Sequence, residues 1–354
     1  MNGSGARRRR PATSRAPRVA GPEGLDDAVA LLRAGRLVAF PTETVYGLGA
    51  DASNPTALAR LYAVKGRPAR HPVIVHVADT AALEVVAREV PEVARRLGAA
   101  LWPGPLTLVV HRNPDRISDR ATGGRDTVGV RVPDHPLALT LLRRFGGGIA
   151  APSANRFGRV SPTTADAVAA ELDGDVDLIL DGGPCRVGVE STIVDVTGPE
   201  PTVLRVGGVS LERLAELLGA PPRLGGATPA PGTLPAHYAP RARVEVVAPE
   251  ALGPRCAALV AQGRRVGVLA METPVVVMPT GARPPTSTAA PGPTSDVIVL
   301  ARPADPETYA RILYRALRDA DRQGLDVVVA VPPPETGIGR AVADRLRRAA
   351  AAHR

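Results

Sequence analysis

From Gly24 onward the chain switches repeatedly between a helical and a strand-like hydrophobic period, and that alternation limits its fold more than any other feature. Leu25, Ala28, Leu31 and Leu32 recur at helical spacing and stop at Gly35. Residues 36–40 (RLVAF) then read as a buried strand running into Pro41. Further strands fit 73–77, 106–110, 127–132, 148–151, 178–180, 191–196 and 202–206. Helices fit 54–64, 81–87, 92–99, 136–144, 164–171 and 211–218. This pattern predicts an α/β domain with a mixed sheet over 19–218. Residues 219–241 keep neither period and are rich in Pro and Gly, so they read as a semi-extended linker. Strands at 243–247, 265–270, 275–277, 296–300 and 326–331, with helices near 253–261, 306–321 and from Ile338, predict a second, smaller α/β domain over 242–354. Within it, 278–295 reads as a low-complexity loop.

Charge adds a second constraint. The chain has 44 basic and 35 acidic residues, a net of +9. A basic balance suggests a polyanionic partner. Six arginines, however, fall in 1–18, and five more fall in 340–354 against one acid, so the body between carries a net of −1. Residues 1–18 have no apolar periodicity and read as a disordered tail; no apolar segment follows the arginines, as a secretory signal requires. No apolar run approaches the ~20 residues of a membrane helix. Two cysteines, Cys185 and Cys256, are too few for a disulfide framework or a thiolate cluster, which favours a reducing cytoplasm. Of the 44 basic residues, 43 are arginine and one is Lys65. Under a drift from Lys to Arg, a surviving lysine marks a place that needs an ammonium; chance survival is the alternative.

Polar residues gather at the strand ends. The segment 41–49 (PTETVYGLG) reads as a loop whose hydroxyls suit a small polar substrate, placed where open α/β sheets bind ligands; a capped turn is the plain alternative. In 65–68 (KGRP) the helix must end at Gly66 for Lys65 and Arg67 to converge, and two cations on one turn suit a polyphosphate or a carboxylate. His76 closes a strand as either a core histidine or a substrate contact; His71 and His76 lack a zinc-ligand pattern, and His111, His135 and His353 are left to structure or solvent. The segment 150–155 (AAPSAN) and then Ser161 supply oxygens and N–H groups suited to anions. Neither a nucleophile elbow at Ser153 nor a Walker A loop is present. Asp181, Gly182, Gly183 and 188–192 (GVEST) form another loop; Cys185 within it is assigned no chemistry.

Taken in order, PTETVYGLG, KGRP, VIVH, WPGPLTLV, DTVGVRVP, APSAN, SPT, DGG and VESTIVD resemble the Sua5/YrdC/YwlC family of threonylcarbamoyl-AMP synthases. PGTLPAHYAP in the linker, LYRALRDAD at 313–321 and GIGRAVADRLRRAA at 337–350 resemble its longer, two-domain Sua5 form. The resemblance implies a YrdC-like mixed twisted sheet followed by a smaller Rossmann-like α/β Sua5 domain. It implies synthesis of L-threonylcarbamoyladenylate and pyrophosphate from L-threonine, bicarbonate and ATP with Mg2+, feeding N6-threonylcarbamoyladenosine at position 37 of tRNAs that read ANN codons. By similarity Thr44, His76, Arg131, Ala151 and Ser191 hold L-threonine, with Arg131 on its carboxylate. Lys65, Arg67, His71, Thr127, Ser153, Asn155, Ser161 and Arg205 hold ATP. Lys65 and Arg67 lie nearest the phosphates and carry the catalytic charge, while Asn155 braces its turn. His71 stands where the family's pattern often has Asn or Lys. His237 and Tyr238 resemble the linker segment that closes over the site. No protein-held metal is implied, since Mg2+ rides on the triphosphate.

The resemblance also implies a cytoplasmic protein whose product passes to a tRNA threonylcarbamoyl transferase, with no membrane partner. Two rival readings remain. A non-catalytic module with weak tRNA or double-stranded RNA contact sits poorly with a near-neutral body and 3% aromatics. A hydrogenase-maturation carbamoyltransferase shares the domain but adds zinc-finger cysteine clusters, which two isolated cysteines cannot supply.

Overall fold

The computed structural model of the chain describes residues 18–172, 174–226, 228, 230–232, 236–271 and 297–352. The tail through residue 17, the strand expected at 275–277, the loop at 278–295 and His353 lie outside the described residues.

The first unit runs β1 (Val19–Ala20), α1 (Leu25–Arg33), β2 (Val38–Phe40), β3 (Gly47–Asp51), α2 (Pro55–Lys65), β4 (Ile74–His76), α3 (Ala82–Val86), β5 (Ala87–Glu89), α4 (Glu92–Leu101), β6 (Leu106–Arg112), α5 (Asp119–Thr122), β7 (Thr127–Arg131), α6 (Pro136–Phe145), β8 (Ile149–Ala150), α7 (Ala165–Leu172), β9 (Leu178–Leu180), β10 (Thr192–Asp195), β11 (Thr202–Arg205), α8 (Leu211–Leu218) and β12 (Arg223–Leu224). The strands join one sheet in the order β1-β9-β2-β3-β8-β4-β7-β6-β10-β11-β12, with β5 against β6. The sheet is mixed: β4 and β7 are parallel, β6 and β7 antiparallel, and β6 and β10 parallel.

Helix signals in the sequence act as expected. Asn54 caps α2 by accepting from the N–H groups of Thr56 and Ala57, Pro55 occupies its first turn, and Gly66 ends it at φ 62°. Two expectations are corrected. The 219–241 segment is not irregular throughout, because Arg223–Leu224 forms β12 and pairs in parallel with β11. Residues 41–49 are not loop throughout, because Gly47–Asp51 forms β3 and pairs antiparallel with β2. Its sequence, GLGAD, has low strand propensity, but the strand needs its glycines: a Cβ on Gly49 would lie 3.0 Å from Phe40, Ile149 and the Val38 carbonyl.

The second unit contains β13 (Arg243–Val246), α9 (Leu252–Ala261), β14 (Val266–Leu269), β15 (Val297–Ala301), α10 (Pro306–Arg322), β16 (Val327–Ala330) and α11 (Gly339–Ala351). Its strands pair in parallel in the order β13-β16-β14-β15. Near-continuous apolar runs such as VVVA in β16 fit a parallel sheet covered on both faces. Residues of α9 pack on one side, and those of α10 and α11 on the other. That second core also takes in Val45, Val160, Val189 and Tyr238, so α10 and α11 share apolar packing with the first unit.

Candidate active site

A pocket lies on the face of the large sheet, walled by residues from the polar clusters of the first unit. Side chains alternate along strands, so Ile74 and His76 of β4 project to the same face. In register, His76 pairs with Arg131 at the ends of the parallel strands β4 and β7. The pocket therefore begins at strand ends but extends across the sheet, and residues of the 219–241 segment (Pro231, Gly232, His237 and Tyr238) form its opposite wall.

One end is rich in hydroxyl and imidazole groups. Thr42 organises the loop after β2: its Oγ1 accepts from the N–H of Thr44 and Val45, donates to the Val45 carbonyl, and lies 2.8 Å from Thr44 Oγ1. Tyr46 pins the same loop to the 181–183 turn by donating to Asp181 and to the Gly183 carbonyl. His76 is buried, and that burial, with Arg131 nearby, lowers its pKa to about 3, so the imidazole is neutral. Ser191 Oγ lies 2.8 Å from Thr107 Oγ1 and accepts from Arg205 at 3.1 Å. Arg131 is buried and already ion-paired, with Nη2 2.8 Å from Glu43 Oε2 and Nε donating to the Gly104 carbonyl. Glu43 was not singled out as a site residue in the sequence. The available signal was an acid at the end of a buried strand, which needs a cation nearby.

The other end is cationic. Gly66 turns the chain so that Arg67 reaches the pocket, where its guanidinium donates to the carbonyls of His71 and Pro72 and lies 5.6 Å from the Phe157 ring centroid. Burial lowers its pKa to about 10, which leaves it charged at neutral pH. Arg205 reaches across from β11, donating to Ser191 O, Ser191 Oγ and the Pro231 carbonyl. Ser153 and Ala151 complete this wall from the turn after β8, and a β-bridge pairs Gly47 with Ser153.

Ten of the residues proposed from the sequence line this pocket: Thr44, Arg67, His76, Arg131, Ala151, Ser153, Ser191, Arg205, His237 and Tyr238. Five do not. Lys65 lies behind the wall, fully buried, with Nζ donating to the carbonyls of Ser153 and Asn155. Asn155 braces the same turn through Nδ2, which donates to the carbonyls of Arg156 and Arg159. Ser161 donates to Glu190 at 2.8 Å instead of opening to the pocket. The His71 ring packs edge-on against Phe157 at 5.6 Å, and its carbonyl, not its ring, receives Arg67. Thr127 lines an adjoining hollow with Ile74, Thr107, Gly129 and Ile193 on the same sheet face.

Besides Glu43, one pocket residue, Glu190, and two rings packed beside the pocket, Phe157 and Tyr314, carry no signal of their own in the sequence. Glu190 is buried in the wall next to Ser191. Burial would raise its pKa, but the charges of Arg345 and Arg205 outweigh that and hold it at about 2. Phe157 stacks edge-on between His71 and His237, and Tyr314 stacks on Tyr238 at 5.6 Å. Phe157, Tyr238 and Tyr314 thus form a small aromatic cluster beside the pocket, where composition alone could not place them.

The thiol of Cys185 is buried and raised far above its ordinary pKa, which makes it inert. The partners of Thr44 and Ser191 are hydroxyls and a guanidinium, and Ser161 meets a carboxylate too acidic to act as a base near neutrality. The pocket can bind and orient a small zwitterion beside a polyanion, with no activated nucleophile of its own among these groups.

Comparison with known proteins agrees with this layout. A family model described as "Telomere recombination" matches residues 30–207, and one described as "Threonylcarbamoyl-AMP synthase, C-terminal domain" matches 209–351. The threonylcarbamoyl-AMP synthase of Bacillus subtilis is 42% identical over 332 residues, which span 91% of this chain and 92% of that protein. The enzyme of the same name from Pyrococcus abyssi is 41% identical, with the same coverage. The crystal structure of P. abyssi Sua5 complexed with L-threonine matches with a TM-score of 0.82 at 38% identity, over 95% of this chain and 97% of that one. No helix among the described residues is long and apolar enough to cross a membrane.

Proposed function

The chain belongs to the Sua5/YrdC/YwlC family of threonylcarbamoyl-AMP synthases, and from that premise we propose that it makes L-threonylcarbamoyladenylate as a nucleotidyltransferase. The observation that carries this reading is one pocket joining a hydroxyl- and imidazole-lined end to a cationic end, with no poised nucleophile between them. Bicarbonate takes up a proton and loses water to give CO2, and the threonine amine takes up CO2 as a carbamate and releases a proton. The carbamate oxygen attacks the α-phosphate of ATP, its new O–P bond replacing the bond to the leaving pyrophosphate. Positioning and charge neutralisation supply most of such a reaction.

Thr44, His76, Ala151 and Ser191 hold the amino acid. Arg131, with Glu43 on one side of its guanidinium, takes the carboxylate. Arg67 and Arg205 meet the triphosphate, with Ser153 beside them, and Thr127 extends the nucleotide site onto the sheet face. Lys65, Asn155 and Ser161 act from behind the wall by holding the 153–161 turn and Glu190 in place. Mg2+ enters as part of Mg·ATP; Glu43 and Glu190, the nearest carboxylates, are each ion-paired to an arginine. His237 and Tyr238 close the pocket and shield a labile adenylate from water. The product passes to a tRNA threonylcarbamoyl transferase in the cytoplasm. Mass-spectrometric detection of threonylcarbamoyl-AMP, formed by the purified chain only with ATP, L-threonine and bicarbonate together, tests the proposal. Pyrophosphate release without that product, or salt-dependent tRNA binding without turnover, overturns it.

A further inference from the structure

Among the described residues none beyond Tyr238 lines the pocket, yet two buried side chains of the second unit end on its wall. Glu190 is where they meet. Ser161 Oγ donates to Oε1 at 2.8 Å, and Tyr314 Oη lies 3.0 and 2.8 Å from the two carboxylate oxygens. Arg345 Nε donates to Oε2 at 2.8 Å. Tyr314 comes from α10 and Arg345 from α11, while Glu190 and Ser191 directly precede β10. Arg345 is among the largest fully buried side chains, and Nη2 also reaches the Val206 carbonyl at 3.0 Å.

Packing alone does not call for an arginine there, since apolar residues of similar volume replace many buried ion pairs without loss of stability. What the pair does provide is direction. With Oε2 gripped by Arg345 and Tyr314 bridging both oxygens, the carboxylate is held in one orientation, and Oε1 meets Ser161. The backbone on either side is equally constrained: Gly208 N donates to the Glu190 carbonyl, and Arg205 holds the Ser191 carbonyl and hydroxyl.

We propose that Tyr314 and Arg345 are positioning residues for the pocket: acting through Glu190, they set Ser161 and the Ser191 turn, so the second unit governs substrate binding without touching substrate. This rests on the reading that the pocket takes L-threonine and ATP. The effect belongs in KM and affinity, because Ser191 lines the pocket, binds substrate and carries no proton in the chemical step, while Ser161 braces the wall from behind.

A double-mutant cycle on the full chain tests it. Tyr314→Phe keeps the ring that stacks on Tyr238 and removes only the hydroxyl, so it is the variant expected to fold. Together with Glu190→Gln, the double variant and Arg345→Lys, it is assayed for kcat, KM and L-threonine affinity. Hydrogen exchange of the unliganded protein is followed over 158–163 and 187–192. Tyr314→Phe is expected to raise KM for L-threonine or ATP about tenfold, the worth of one hydrogen bond to a charged group, with little change in kcat. It is expected to speed exchange in both segments, and the double variant is no worse than Glu190→Gln alone, since Tyr314 acts through that carboxylate. Two outcomes overturn the proposal: a lowered Tm with KM and exchange unchanged in Tyr314→Phe and Arg345→Lys, or effects on KM that simply add in the double variant. If the wild-type chain neither binds L-threonine nor forms the adenylate, the pocket's proposed chemistry fails separately. Exchange then decides the coupling, and unchanged exchange in Tyr314→Phe overturns it.

Discussion

Lys65 ends α2 with its ammonium buried against two backbone carbonyls, and burial, then the charge of Arg67, pulls its pKa well below the usual lysine range. A compact ammonium on a slender stem fits between the carbonyls of Ser153 and Asn155; a planar guanidinium is too wide to replace it there. Lys65→Arg is therefore expected to be nearly as damaging as Lys65→Ala, each lowering adenylate formation by on the order of 100-fold through displacement of the Ser153 turn. Near-normal turnover in Lys65→Arg, counted by pyrophosphate release, would show that the lone lysine is accidental. His76 yields a second expectation. With its pKa at about 3 the imidazole stays neutral, so L-threonine affinity should show no step from His76 between about pH 5 and 8. A calorimetric pH series with a step near 6.5 that disappears in His76→Asn would contradict this. Most of the candidate pocket residues could be read from the sequence because they sit in distinctive polar motifs. Glu43 and Glu190 could not, because what defines them is a partner 88 residues away in Arg131 and 124 away in Tyr314.

At the level of elements, Gly66 and Gly188 separate local conformation from tertiary fit. Both lie in the left-handed region, at φ 62° and 81°. A Cβ on Gly66 meets nothing within 4 Å, whereas on Gly188 it would lie 2.4 Å from the Ala310 carbonyl oxygen and 2.5 Å from Arg311 Cα, both backbone atoms of α10. Gly66→Ala should cost only the backbone strain, about 1–2 kcal/mol. Gly188→Ala should cost clearly more, because α10 must move and no rotamer change relieves the contact. Denaturant unfolding of the two variants measures the difference; equal losses would mean that α10 is not closely seated on this loop. Most helices were legible from their period and caps. Strand β3 was not, since its glycines conceal it from propensity and its pairing with β2 and β8 exists only in three dimensions.

Across the whole molecule the two units share apolar packing at Val45, Val160 and Val189 and a buried ion pair at Glu190 and Arg345. Removing one partner of that pair strands a charge. Arg345→Met is expected to lose about 3–5 kcal/mol, and Glu190→Gln in the same chain should restore part of it. Unfolding that is unchanged in Arg345→Met would exclude the pair as a structural tie. Acid sensitivity follows from three groups of common sign. Buried His76 and His237, both at about 3, protonate more readily once unfolded, so stability is complete above about 6.5 and declines as pH falls toward 3. Glu190, held at about 2, adds a loss between about 4.5 and 2. Calorimetry should show Tm falling from pH 7 to 5, with each histidine accounting for at most about 1.4 kcal/mol per pH unit, and a smaller fall in His237→Gln. The hydrophobic periods, the capping residues and the polar motifs are local, and they carried the α/β class, the order of elements and the residues that chemistry would use. Which of those residues face the pocket and which stand behind it was set by folding. Orientation on a sheet, burial of a charge and the choice of its counterion arise only when distant segments meet. The +9 of the chain says nothing of this, whereas the buried pair of Glu190 and Arg345 does.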